Sequence, residues 1–417
     1  MESRTTYQFA SEEYAWKLAP SLNFGSNEDE TKTGTLTVSS YNIMVETVDD
    51  GQSRYPVLLQ NILSPYARAD VLVLQEVCDD FLSYLLSNET VRQIYPFTTH
   101  RPPNQAGVGP LPSIRNIVVL ANVNFRWSWV PFEARHKGSV ILEFNGMGRF
   151  DEDGNFLPVI LAGVHLTAGL NDEGVMAQKS QLLRLLDTLR RNFPENPEII
   201  AGDFNIAASV FSIEYAFQER RITHETYNTQ LGLELLLSKA HLSDAWYVAR
   251  TEIGSHSLEW TVEDINRTYE GEQGAIFNPI YNPLAEKSAK TGGGRPQRYD
   301  RIFVKGGGLL AVSDFNLFGF PSNYWKLLDT HQGARCEHKS SSFGSDHWGV
   351  RATFRFISDD EEKWQGFNTE VPPFQKASGN LARSEDLKSC IIQCGMVPSA
   401  DEIQRRSQIF RLVENVL

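Results

Sequence analysis

The stretch "IIAGDFNIAAS" (199–209) carries an apolar run straight into Asp203, with Asn205 two positions on. In an extended chain residues two apart share a face, so the carboxylate and the carboxamide point to the same side. A surface turn would account for that pair, and so would a metal-dependent site at a strand end. The neighbouring sequence repeats the arrangement. "SYNIM" ends a period-two run (35–43) on Asn42, and "DVLVLQEV" (70–77) ends a strand apolar enough to be central on Glu76. "FLPVILAGVHL" (156–166) closes on His165, "YDRIFVK" (299–305) opens on Asp300, and "FGSDHWGV" places Asp346 and His347 before a last strand (347–356). Each residue alone has an ordinary structural reading. Together, carboxylates, carboxamides and histidines at successive strand ends supply oxygen ligands for Mg²⁺ and an acid–base apparatus on one rim. Oxygen donors of this kind suit a hard cation better than zinc.

Further strands are expected at 116–122, 139–145 and 309–319, and helices over 54–69 and 175–193, the latter with Leu182, Leu183, Leu186 and Leu189 on one stripe. Many strands and few helices in mixed order predict two packed sheets with helices outside, not a doubly wound parallel sheet. Residues 1–33 read as an N-terminal arm, 34–357 as the main domain, and 358–417 as a linker and tail ending in an amphipathic helix (399–417). That helix is expected to dock on the main domain, a further domain or a partner, and its unfinished apolar face suits a piece of a longer protein.

With 417 residues and 22% charged residues, the composition is that of an ordinary globular protein. The longest apolar stretch is too short to span a bilayer, so no membrane partner is expected. Four scattered cysteines do not make a disulfide scaffold and fit a nuclear or cytoplasmic, reducing setting. A net charge of −13 excludes a surface that grips nucleic acid everywhere, yet leaves room for a local basic path. One such path is read in the glycine-rich segment 286–305, where Lys287, Lys290, Arg295, Arg298, Arg301 and Lys305 cluster. His331, Cys336 and His338 match no common zinc spacing, and Cys390 and Cys394, one helical turn apart, suit a packed helix face.

In this order, "SYNIM", "LQEV", "GVHL", "AGDFNI", "YDRIF" and "GSDHWGV" resemble the motifs of the endonuclease/exonuclease/phosphatase (DNase I-like) superfamily, over about residues 35–357. The resemblance implies a four-layered α/β sandwich of two mainly antiparallel sheets. It implies that Glu76 binds the catalytic Mg²⁺ (Mn²⁺ substituting), with Asn42 nearby and Asp346 as a second ligand. By the same comparison Asp203 deprotonates the attacking water and Asn205 holds it or a phosphate oxygen. His347, polarised by Asp300, contacts the scissile phosphate, and His165 stabilises developing charge or assists the leaving oxygen. The implied partner is a DNA or RNA end, with Arg295, Arg298, Trp246 and Asn282 as substrate contacts. "SDHWGV", "RYDRIF" and "FNPIYNPLA" (277–285) look most like the tyrosyl-DNA phosphodiesterase branch, although Phe277 and Asn278 replace Trp-Asp. "SYNI" and "GDFN" look equally like the deadenylase branch, so RNA end processing, deadenylation or cyclic-phosphate removal, is the alternative. A non-catalytic phosphate-binding module is a third. One departure stands out: the family's "N-x-D" is here Asn42-Ile-Met44, and Glu46 is the nearest carboxylate that could substitute.

Overall fold

The computed structural model describes residues 1–22, 34–44, 51–133, 136–151, 153–252, 274–289, 294–305, 310–321 and 342–357. The expectations for Glu46, His331, Cys336, His338 and the tail 358–417 lie outside the described residues. The chain divides into two units, and every described residue except Ile357 belongs to the first.

Fifteen strands among the described residues form two sheets. One has the order β1 (Glu2–Arg4), β8 (Phe125–Pro131), β9 (Gly138–Phe150), β10 (Phe156–His165), β11 (Glu198–Asp203), β13 (Asp300–Lys305), β12 (Leu242–Asp244). The other runs β14 (Leu310–Phe318), β15 (Gly349–Phe356), β4 (Thr35–Asn42), β5 (Val71–Val77), β7 (Asn116–Ala121), β6 (Phe97–Thr98), β2 (Tyr7–Ala10), β3 (Ala15–Leu18). Only β4–β5 and β10–β11 pair in parallel, so both sheets are mainly antiparallel.

Side chains on the central strands alternate between two buried environments, which is why these strands read as continuous apolar runs. Val71 and Val73 face Val140, Leu161, Ile199 and Ile302 in the core between the sheets. Leu72 and Leu74 face outward onto α1 (Tyr55–Leu63) and α2 (Asp79–Ser87), through Leu58, Ile62, Phe81 and Leu85. The other sheet's outer face, including Ile141, Ile160, Ala162 and Ile200, packs on α4 (Asp172–Asn192) and α6 (His224–Lys239). The result is helix, sheet, sheet, helix: the expected four layers.

Two details differ from the sequence expectations. Residues 2–18, read as part of an arm, form β1, β2 and β3, which border both sheets. Their short two-sided polar runs give little periodicity, and pairing with β8 and β6 fixes them. On α4 the buried stripe is Leu182, Leu185 and Leu189, while Leu183 is exposed. Spacings of three and four keep the first three on the sheet-facing side, and Leu183 lies about 100° round the helix from Leu182.

Candidate active site

Strand register assembles the site. In the first sheet His165 pairs with Asp203 across the parallel β10–β11 ladder, and Asp203 pairs with Asp300 across β11–β13. Three polar residues from distant parts of the sequence thus stand side by side at one sheet end. Gly202, immediately before them, is obligatory: a Cβ there would come within 2.1 Å of the Val164 carbonyl oxygen, and its φ is +149°. From the second sheet, Asn42 at the end of β4 reaches across and donates to Asp203 at 2.9 Å. Glu76 arrives by a bulge. The β5–β7 register shifts between Leu74 and Val77, and Glu76 takes a left-handed φ of 59°.

Asp203 is buried and held by three donors, accepting from Asn42 Nδ2, from the Asn205 backbone N–H at 2.9 Å and from Asn205 Nδ2 at 3.0 Å, which leaves one lone-pair position of the carboxylate open. Burial, and then the neighbouring Asp300, push its pKa up to about 6. His165 Nε2 lies 3.6 Å from Glu76 and 3.8 Å from Asp203. Burial, reinforced by Lys137 and Arg115, holds His165 well below its usual value, so it is neutral. His347 is its opposite. Burial disfavours its charge, but Asp300 and Asp346 outweigh burial and raise it to about 10. Its Nδ1 stands 2.6 Å from Asp300, and its Nε2 is 3.8 Å from Asp346. One rim therefore carries a proton acceptor poised near neutrality, a neutral imidazole and a cationic imidazolium.

The residues fit a hard cation. Burial raises the Glu76 pKa, and Asp346 and Asp203 raise it further while Arg115 opposes them. A divalent ion would offset that crowding of carboxylates. Among the described residues, Asp203, Asp300 and His347 have ligand atoms all within 4.8 Å of one another and could hold a metal ion. A protonated His347 bonded to Asp300 has no free lone pair, which leaves Glu76 and Asp346 as the better donors.

All eight residues expected in the catalytic and metal sets meet here. The four expected substrate contacts do not. Arg298 is buried in an ion pair with Asp244 at 3.1 Å, its guanidinium over the rings of Trp246 (4.6 Å) and Tyr247 (4.5 Å). Trp246 is itself buried, and Arg295 lies over Phe211. Asn282, fully buried, caps α8 (Pro283–Ser288) and donates to the Ser345 carbonyl. It positions the turn that carries Asp346 and His347. Charge composition alone does not reveal that an arginine in a glycine-rich segment is already paired inside the fold.

Arg54 is a site residue the sequence did not signal. It ends a 3₁₀ turn (Gly51–Arg54) and is buried. Its guanidinium donates to the carbonyls of Ile43 (3.4 Å), Met44 (2.6 Å) and Gly344, tying the loop after Asn42 to the loop before Ser345. Ser345 completes the tie by donating to the Asn42 carbonyl at 2.6 Å. Arg54→Ala is expected to lower stability by at least about 2 kcal/mol, because three acceptors lose a charged donor. It should also lower kcat more than it raises KM, with partial recovery in Arg54→Lys. Denaturant melts beside steady-state kinetics check this; an unaltered kcat would show that the two loops hold their register without Arg54.

Two layered, mainly antiparallel sheets with all six motifs at one sheet end define the architecture. Two mixed sheets of seven and eight strands flanked by helices agree with the sandwich that the sequence resemblance implies. No protein-family model matches the chain, and no curated protein sequence matches it. Solved structures similar to it include TDP2 from Caenorhabditis elegans, at 18% identity over 77% of this chain and 75% of that one, with a TM-score of 0.45. The human Nocturnin catalytic domain is 15% identical over 78% and 95% of the two chains, with a TM-score of 0.43. An endonuclease/exonuclease/phosphatase protein from Beutenbergia cavernae is 17% identical over 78% and 72%, also at 0.43.

Proposed function

We propose that this chain is an Mg²⁺-dependent phosphodiester hydrolase acting on nucleic-acid ends, with Mn²⁺ able to substitute. The observation that carries the reading is Asp203, fixed by three donors and held up near pKa 6 between neutral His165 and the Asp300–His347 pair. In-line attack on a phosphodiester needs a positioned nucleophile, charge on the non-bridging oxygens and help for the leaving group. Asp203 takes the proton of the attacking water, which Asn205 orients. The His347 cation, fixed by Asp300, neutralises phosphate charge, and His165 assists the leaving oxygen. Glu76, with Asp346 and Asn42 beside it, would hold the cation, which supplies Lewis-acid stabilisation of the phosphoryl oxygens when bound.

Within this reading the substrate is a 5′-tyrosyl-DNA end or, as the alternative, an RNA tail or 2′,3′-cyclic phosphate. A substrate panel with Mg²⁺ tests it: 5′-tyrosyl oligonucleotide, abasic duplex, poly(A), cyclic-phosphate RNA and an inositol phosphate. Chelator-sensitive cleavage of at least one nucleic acid, with the inositol phosphate left intact, is the expected result. Cleavage of the inositol phosphate alone, or of nothing with Mg²⁺ or Mn²⁺, would sink the proposal.

A further inference from the structure

Two glutamines occupy the apolar stripe of α4. The sheet-facing side that carries Leu189, Leu185 and Leu182 continues toward the helix N-terminus as Gln181 and Gln178, both buried. Gln178 has no exposed surface, and its Oε1 has no hydrogen-bond partner among the described residues. An amide oxygen buried without a partner lowers stability, so an apolar side chain of the same length would suit the packing better. The nitrogen of the same amide is differently placed: both of its N–H groups are used, and both reach the catalytic rim.

Gln178 Nε2 donates to the carbonyl of Thr167 and to that of Asn205, each at 2.9 Å. One side chain thus spans the loop that follows His165 and the loop that follows Asp203. Gln181 secures the first loop alone, accepting from the Thr167 N–H at 2.9 Å and donating to its hydroxyl at 2.7 Å. The two loops also meet directly. The Leu166 N–H donates to the Asp203 carbonyl at 2.9 Å, and Asn205 Nδ2 donates to the Leu166 carbonyl at 3.2 Å. At the centre is Asn205, held at a φ of 52° while its Nδ2 also reaches Asp203 at 3.0 Å. Asparagine tolerates the left-handed region without selecting it. The bond from Gln178 to its carbonyl fixes the peptide plane that follows, and so the direction in which the carboxamide points.

We infer that Gln178 is a positioning residue for the reaction. From α4 it sets the backbone of Asn205, and through it the carboxamide that orients the attacking water, against the loop that follows His165. The kinetic consequence rests on the hydrolase reading of the site; the structural consequence rests on the hydrogen bonds alone.

The test uses the full chain carrying Gln178→Met, Asn205→Gly and both together. Methionine keeps the length of the side chain and removes the unpartnered oxygen, and glycine keeps the left-handed backbone without the carboxamide. With bis-p-nitrophenyl phosphate and Mg²⁺, Gln178→Met should lower kcat about tenfold or more at a KM within about twofold, as a misplaced group beside the reacting atoms does. In the double variant kcat should lie within about twofold of Asn205→Gly alone, because Gln178 acts through that carboxamide. Losses that multiply, or an unchanged kcat in Gln178→Met, would overturn the inference. Gln178→His retains one ring N–H at the reach of Nε2 and should recover about threefold of the loss. It also carries the test if the methionine variant does not fold. The second readout needs no turnover. NMR of chelator-treated protein, nitrogen-labelled at asparagine and assigned with Asn205→Gly, follows solvent exchange of the Asn205 side-chain protons. Exchange should be about tenfold faster or more in Gln178→Met, while the thermal midpoint moves by a few degrees at most. Unchanged exchange would overturn the inference whatever is hydrolysed. Faster exchange in a protein that hydrolyses no diester would uphold the positioning and remove the hydrolase reading. Hydrolysis with kcat and exchange both unmoved in Gln178→Met would do the reverse.

Discussion

Replacing Asp203 by asparagine is expected to lower kcat about 10³-fold or more while the protein stays folded. The expectation follows from what the side chain does and what it costs. Asp203 is buried beside a second buried carboxylate, which is why its proton affinity is raised. An amide keeps the shape and removes that repulsion. It cannot take a proton from water, however, and its NH₂ must face one of three donors that now converge on the carboxylate. The cost of one misdirected hydrogen bond, about 1–3 kcal/mol, offsets the relief of burying a neutral group. A kcat that collapses with a thermal midpoint moving only a few degrees is therefore the signature of a base. Unchanged turnover with Mg²⁺ would remove Asp203 from the chemistry and the proposed division of labour with it.

The second large effect is expected at Glu76. Glu76→Gln should raise the Mg²⁺ concentration for half-maximal activity at least tenfold and lower the maximal rate at least a hundredfold. In chelator the same variant should be more stable than the parent, because burial and the Asp346 and Asp203 carboxylates all press against the Glu76 charge. The two effects have opposite sign, and a merely structural glutamate would not produce both. A metal titration of activity and a chelator-treated melt, run on one preparation, decide the matter. If the cation requirement is unmoved, the ion is held without Glu76.

Much of this site was legible because strand ends are legible. An apolar run that stops on Asn42, Glu76, His165 or Asp203 says where the sheet ends and what stands there, and register does the rest. β10, β11 and β13 pair so that three such ends fall in one row. Residues whose placement depends on contacts remote in sequence were not legible. Arg298 has its partner Asp244 at the end of β12, so a sequence that looked like an exposed basic path holds a buried ion pair. Arg54 sits before an ordinary amphipathic helix and matters only because two loops bring their carbonyls to it. Short edge strands such as β1 escape for a related reason: their conformation is imposed by the neighbour they pair with.

Three of the seven non-glycine residues with positive φ among those described are Met44, Glu76 and Asn205, at 52°, 59° and 52°. Met44 and Asn205 follow strand ends and Glu76 occupies the β5 bulge, all at the catalytic rim, and for side chains other than asparagine that geometry carries a penalty on the order of 1 kcal/mol. Selection for heat resistance alone would thus favour glycine at Met44 and Glu76, and at Glu76 it would erode the site from within. Position 44 is the exception. Its side chain is not among the proposed ligands, so glycine there would relax the backbone and leave Asn42, Glu76 and Asn205 in place. The rim is where durability and activity compete, and Met44 marks the point at which they do not.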